Sequence, residues 1–178
     1  MNPHKFLFFV ECGHLVDFIV SKHRIRVDLN KVKAINQLSV PQSILHLQHL
    51  QGKEKLLPRF IMNYATLPKG FMFLLNKGVP YLWDYQAQWL FDALKEALIF
   101  APLLSAPNYS CDFLLYLAAS PSSIGMVLVQ THDDLSDNVI YYLSKGLDGP
   151  ELWYSHVEKL FFVVVFAFNR FLHYIVFW

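Results

Sequence analysis

The spacing of apolar positions divides the chain in two: after a short β-like opening, three- and four-residue spacing prevails to about position 100, and short alternating runs follow. Residues 5–10 and 15–21 are apolar runs split by Glu11-Cys12-Gly13-His14, which predicts a β-hairpin with that segment as its connection. Ile25-Arg26-Val27 reads as a further extended stretch. Asp28 is placed to cap a helix starting at Leu29, in which Val32 and Ile35 share a face. Beyond Pro41 a second helical pattern begins at Ser43 and ends near Gly52, and a third runs through Leu56, Leu57, Phe60 and Ile61. Residues 68–70 and 76–80 read as loops, and residues 86–100 as an amphipathic helix with Leu90, Phe91, Leu94 and Leu98 at helical spacing.

Residues 112–117, 125–130 and 139–144 are short, β-rich and separated by turn residues, which predicts three consecutive strands. The polar stretch 131–138, with Asp133, Asp134 and Asp137, reads as a solvated hairpin loop whose acids serve solubility. After Gly149-Pro150, Ser155 and Glu158 have capping-box spacing at the head of a long apolar helix. Strand, strand, strand and buried helix make the fold class α+β, an antiparallel three-strand meander plus a buried helix behind a hairpin and helical segment.

Composition narrows the function classes. At 54% hydrophobic and 16% charged the chain has material for a packed core, and 15 Lys and Arg against 14 Asp and Glu leave no overall basic field. Cys12 and Cys111 are too far apart and too few for a disulfide framework or a zinc site, so the expected setting is reduced, cytoplasmic or nuclear. The apolar run after Lys5 is short and closed by Glu11, so secretion is not expected. Residues 160–178 approach the composition of a membrane span, but Asn169, Arg170 and His173 interrupt them, and a buried helix accounts for the same pattern. No membrane partner is expected.

Side chains with chemical potential are sparse. His46 and His49 are three apart on a helical pattern without an accompanying acid or cysteine, which favours a polar face over a metal site. Ser120, Ser155 and His156 lack a nucleophile elbow. Lys22, His23, Arg24, Arg26, Lys31 and Lys33 form the densest basic cluster, readable equally as a phosphate-contacting patch or as solvated surface.

Several strings, taken in order, resemble the Pol polyproteins of gypsy-type long-terminal-repeat retrotransposons, plant ones in particular. Asn2-Pro3-His4-Lys5-Phe6 resembles N-P-x-K-C; Val20-Ser21, Ile25-Arg26-Val27-Asp28 and Lys31-Val32-Lys33-Ala34-Ile35 resemble V-S-x-x-G-I-x-V-D-x-x-K-x-x-A-I. Arg59-Phe60-Ile61 is similar to R-R-F-I of the thumb, and Pro102-Leu103-Leu104 to the P-V-L before RNase H. Residues 118–130 are similar to D-A-S-x-x-x-I-G-x-x-L-x-Q, in which Gly125 is structural; residues 141–145 resemble Y-Y-L-S-R, and residues 151–155 E-x-x-Y-S.

The resemblance implies three parts: residues 1–28 as the end of a reverse transcriptase palm with a primer-grip-like hairpin, 29–106 as helical thumb and connection, and 107–178 as the truncated N-terminal part of an RNase H-like domain. Intact relatives copy RNA into DNA and cleave the RNA of RNA-DNA hybrids with Mg2+ held by carboxylates. In this chain the first acid falls on Ala118 and the second on Leu160, so no catalytic residue, metal ligand or cofactor is expected. A Y-x-D-D pair is also missing. Asp17 and Arg24 replace family glycines, and Pro58 falls within a thumb helix, where a proline costs about 3 kcal/mol.

The implied function is a retrotransposon-derived reverse transcriptase/RNase H-like fragment, multifunctional in its relatives (polymerase, nuclease) and inactive here. The alternative is a non-catalytic connector or nucleic-acid-binding module, or a translated pseudogene. Expected partners are an RNA-DNA hybrid or template-primer, contacted through Lys22, Arg24, Arg26, Lys31 and Lys33, and other polyprotein parts. An unpaired sheet edge and an uncovered apolar helix would make the chain aggregate alone.

Overall fold

The computed structural model describes residues 10–15, 18–54, 58–131 and 137–176. Its first sheet is antiparallel and four-stranded in the order β1 (Cys12–Leu15), β2 (Phe18–Ser21), β3 (Arg24–Val27), β4 (Leu104–Ser105). The opening hairpin is therefore shifted from the sequence expectation. Cys12, Gly13 and His14, expected as its connection, pair with Ser21, Val20 and Ile19 as strand, and Leu15 pairs with Phe18. Register decides this, because it turns Phe18 and Val20 together toward the core. Residues 5–9, the expected first strand, lie outside the described residues. β4 has no counterpart in the sequence reading: two residues are too few to carry a period, and only their pairing with Arg24 and Ile25 defines them.

Helix α1 (Leu29–Asn36) starts where Asp28 predicts, the Asp28 carboxylate accepting from Asn30 N at 2.9 Å, and it buries Val32 and Ile35. Helix α2 (Ile44–Glu54) ends two residues beyond Gly52, close to the expected stop. Of the third expected helix, Leu56 and Leu57 lie outside the described residues; where the chain is described, Pro58–Phe60 and Tyr64–Thr66 are single 3-10 turns. Pro58 is the first residue of the Pro58–Phe60 turn, a position that a proline tolerates. Residues 68–70 also differ from expectation, since Lys69–Met72 forms a helical turn, α3, followed by the 3-10 turn Phe73–Leu75. Gly70 there abuts Leu90 so closely that a Cβ would collide with its side chain. Gly78 gives the predicted loop its left-handed turn at φ 83°. Helix α4 (Tyr85–Ile99), capped by the Asp84 side chain on Ala87 N, buries Ala87, Phe91, Leu94 and Leu98. One core gathers these side chains with Phe18, Val27, Leu47, Phe60 and Phe71.

The second sheet is β5 (Leu114–Ala119), β6 (Ser123–Thr131) and β7 (Asp137–Gly146), an antiparallel meander in that order, as expected. Asp133 and Asp134 lie outside the described residues. Asp137 belongs to β7 and accepts hydrogen bonds from Thr131 Oγ1 and the Tyr116 hydroxyl. Helix α5 (His156–Val176) crosses β5 and β6. It is buried on one face only: Val163, Ala167, Phe171 and Tyr174 enter a second core with Ile124, Met126 and Leu128, whereas Phe161, 70% exposed, and Val165, 59% exposed, face outward. The expected buried helix is thus half-buried. Among the described residues, no helix is long and apolar enough to cross a membrane.

Strand β7 joins the two halves. Its Val139 and Tyr142 pack on the first core, Tyr141 and Leu143 on the second, and Ser144 Oγ accepts from Ala65 N at 2.9 Å.

Candidate functional site

In β5 the side chains of Leu115, Leu117 and Ala119 pack toward α5, so alternation turns Ala118 and Tyr116 to the opposite face. Ala118 pairs with Gly125 and is exposed. It lines a shallow cavity of ≈ 200 Å³ whose other walls include Met62, Asn63, Tyr116, Val127 and Tyr142. Gly125 packs closely there: a Cβ would stand 3.3 Å from Asn63 Oδ1, so the Asn63 side chain would have to shift slightly. Leu160 sits half-buried in α5 and is not among the cavity's walls. A methyl group, an isobutyl group and one neutral amide oxygen offer a divalent cation no carboxylate, so these residues do not fit Mg2+. Among the described residues no three His, Cys, Asp or Glu side chains gather closely enough to hold a metal ion.

Ser120 holds the β5–β6 turn: its Oγ donates to Ser123 O and accepts from Ser123 N, both at 2.9 Å. The capping box at α5 forms as read, Ser155 N donating to Glu158 Oε2 at 2.7 Å and Glu158 N to Ser155 Oγ at 3.3 Å. These bonds from Ser155 hold the Glu158 carboxyl below the usual glutamate range. Glu158 is committed to the helix terminus. The Tyr116 hydroxyl is raised above its ordinary range by its hydrogen bond to Asp137.

Of the basic cluster, Arg24 and Arg26 project from one exposed face of β3, with Lys22 and His23 in the turn before them. Ser21 Oγ closes that turn by accepting from Arg24 N at 3.2 Å and donating to Arg24 O at 2.9 Å. Ile19 pairs with Arg26, and His14 with Ile19, so this outer face is mixed in character. Lys31 and Lys33 are exposed on α1, but two helical residues are roughly 200° apart, so they point in different directions. The six residues form one surface on the hairpin and a divided set on the helix.

Three polar side chains inside the protein escaped the sequence reading as individuals. Gln130, 3% exposed, accepts from Asn108 N and donates to the carbonyls of Asn108 and Cys111, tying the linker to β6. Lys159 is buried and donates to Pro121 O at 2.9 Å, fastening α5 to the β5–β6 turn. Arg59 stands among the rings of Phe18, Phe60 and Tyr141. The Q that ends the D-A-S string was a signal for Gln130; Lys159 and Arg59 sit in runs where no local period marks them. Lys145 bonds both Glu151 oxygens at 2.6 and 2.5 Å, and its hydrogen bond is the largest influence lowering the Glu151 carboxyl.

Residues 83–177 match the family described as "RNase H-like domain found in reverse transcriptase". The "Retrovirus-related Pol polyprotein from transposon opus" of Drosophila melanogaster is 28% identical over 179 residues, covering 90% of this chain and 18% of that protein. That from transposon 297 of the same species is 28% identical over 165 residues, covering 92% of the chain and 15% of the relative. The chain thus spans less than a fifth of either relative's length. In fold it is similar to a chain of "Structure of the foamy viral protease-reverse transcriptase in complex with RNA/DNA hybrid", with TM-score 0.80, 18% identity, and 91% of this chain and 22% of that one covered. A match across more than half of its length, carried by the β5–β7 meander and α5, means that this chain belongs to the family of RNase H-like domains found in reverse transcriptases, with retrotransposon Pol polyproteins as its relatives.

Proposed function

We propose that this chain is a non-catalytic RNase H-like module of a retrotransposon Pol polyprotein, coupled to a hairpin and thumb-like segment that contacts a nucleic-acid duplex through its phosphates. The observation that carries the first part is Ala118, an apolar residue near the end of β5 with no carboxylate among the described residues that line its cavity, where metal-assisted hydrolysis needs hard oxygen donors. Leu160 gives the same chemistry on α5, and the one glutamate near it in sequence, Glu158, is engaged by Ser155. What remains is a scaffold, a connector whose β7 edge is packed against the thumb-like half.

The test is cleavage of a labelled RNA-DNA hybrid in Mg2+ or Mn2+ by the native chain and by an Ala118→Asp, Leu160→Glu variant. The native chain is expected to leave the hybrid intact; metal-dependent cleavage by it would overturn the reading. The nucleic-acid part rests on the exposed Lys22, Arg24 and Arg26 surface, which suits phosphate neutralisation without base readout. An RNA-DNA hybrid and other parts of the polyprotein are the partners this reading proposes.

A further inference from the structure

In the three-stranded meander β7 is an edge strand, yet from Asn138 to Gly146 none of its residues is exposed. Its two faces are taken by different partners. Alternation turns Tyr141, Leu143 and Lys145 toward α5, where Tyr141 and Leu143 pack on the second core and the Lys145 ammonium lies 4.8 Å from the centroid of the Phe162 ring. Tyr142 and Ser144 turn the other way, toward the thumb-like half. Further back the register slips between Leu128 and Val129, which leaves Ile140 as an extra residue in β7; Ile140 stays in the second core while Val139 packs on the first.

Polar contacts run across this joint in both directions. Ser144 Oγ accepts from Ala65 N at 2.9 Å, and Lys69 Nζ donates to the carbonyl of Leu147 at 3.2 Å. Each half thus satisfies a backbone group of the other with a side chain, so drawing the halves apart removes both partners and uncovers Val139 and Tyr142 at the same time. The linker is held as well, because Gln130 of β6 bonds the backbone of Asn108 and Cys111. The family match points the same way: starting at residue 83, it takes in α4 of the first core together with the meander.

We propose that β7 couples the thumb-like and RNase H-like halves into one cooperative unit, so that neither opens without the other and the segment between them is a pinned linker with no hinge. For the proposed function, such coupling fixes the angle between a duplex held at the hairpin face and the RNase H-like sheet.

Native-state amide hydrogen exchange, followed by mass spectrometry on the whole chain without nucleic acid, tests this. The slowest amides of α4 and of the central strand β6 are expected to exchange at one common rate, through opening of the whole unit. Two mild core substitutions then separate the alternatives. Ile35→Val in the first core and Ile124→Val in the second each trim a fully buried side chain, and each should speed exchange in both α4 and β6 by the same factor, roughly two- to tenfold. Ser144→Ala leaves Ala65 N without its acceptor and should speed both sets roughly tenfold. Exchange in β6 unmoved by Ile35→Val, exchange in α4 unmoved by Ile124→Val, or a Ser144→Ala chain that exchanges like the native one would each overturn the proposal. Neither a duplex nor hybrid cleavage enters the measurement, so this inference and the proposed function fail separately.

Discussion

The guanidinium carbon of Arg59 lies 4.7 Å from the centroid of the Tyr141 ring, and the same guanidinium reaches Phe18 at 5.3 Å and Phe60 at 5.7 Å. Phe18 and Phe60 belong to the first core, whereas Tyr141 packs on the second. Arg59 is therefore the cation on which the two cores meet. Its charge also reaches Tyr174 of α5, whose hydroxyl is raised chiefly by burial and lowered in part by Arg59. Neighbouring tyrosines on β7 complete the joint, Tyr142 facing the first core and Tyr141 the second.

Arg59→Met keeps much of the apolar stem but loses the contacts of the guanidinium with three rings. The expected cost is about 2 kcal/mol, the upper end of a desolvated cation–π contribution. Urea unfolding followed by tryptophan fluorescence checks it, and Tyr174 should titrate higher in the variant because a neighbouring positive charge is gone. An unchanged midpoint would mean that the joint does not depend on Arg59.

Acid sensitivity has an assignable source. Glu151 is held below its ordinary 4.5 first by the Lys145 hydrogen bond, and Glu158 first by the hydroxyl of Ser155. Because both are lowered in the folded state, their stabilisation is present above pH about 4.5 and is lost as the pH falls through the lowered values. The urea midpoint should drop below pH 4.5, and Lys145→Met should flatten that acid limb while lowering the midpoint at pH 7. A variant with the native acid profile would remove Lys145 as the cause.

Ser155→Ala removes the acceptor of Glu158 N and opens the first turn of α5. Loss of such a cap costs about 1 kcal/mol. The same measurement on Ser155→Thr should recover most of it, since threonine retains the hydroxyl; a Thr variant as weak as the Ala one would indicate packing at Ser155.

Legibility in the sequence followed the length and regularity of each element. The α4 stripe, the Asp28 cap, the three meander strands and the Ser155 box each carry a local signal strong enough to be read, and each stands where expected. Around Pro58 the described part of the expected helix, Pro58–Phe60, is a 3-10 turn, a local geometry that apolar spacing does not distinguish from an α-helix. Strand β4 and the shifted hairpin depend on pairing with distant residues, which no local period encodes. The two substituted acid positions were visible only through resemblance to a family motif, since nothing about an alanine or a leucine draws notice by itself. The basic cluster was visible as a charge run, but its division between strand and helix was not.

That division allows a last prediction about nucleic-acid contact. Arg24 and Arg26 lie on the exposed face of β3, while Ile25 and Val27 point inward, so alanine at both positions leaves the core side chains and the β2–β3 pairing intact. Each phosphate neutralised contributes roughly 0.9 to the slope of log affinity against log salt on a duplex. Arg24→Ala with Arg26→Ala should therefore reduce that slope by roughly 2, for hybrid and double-stranded DNA alike, because phosphate contacts carry no base preference. Lys33→Ala, on the separate helical surface, should change it by less than one such unit. Fluorescence anisotropy with a labelled hybrid between 50 and 200 mM salt measures all three proteins, the range over which counterion release is largest for such contacts. If the double variant binds with the native slope, the hairpin face is ordinary solvated surface, and any duplex contact has to be sought elsewhere on the chain.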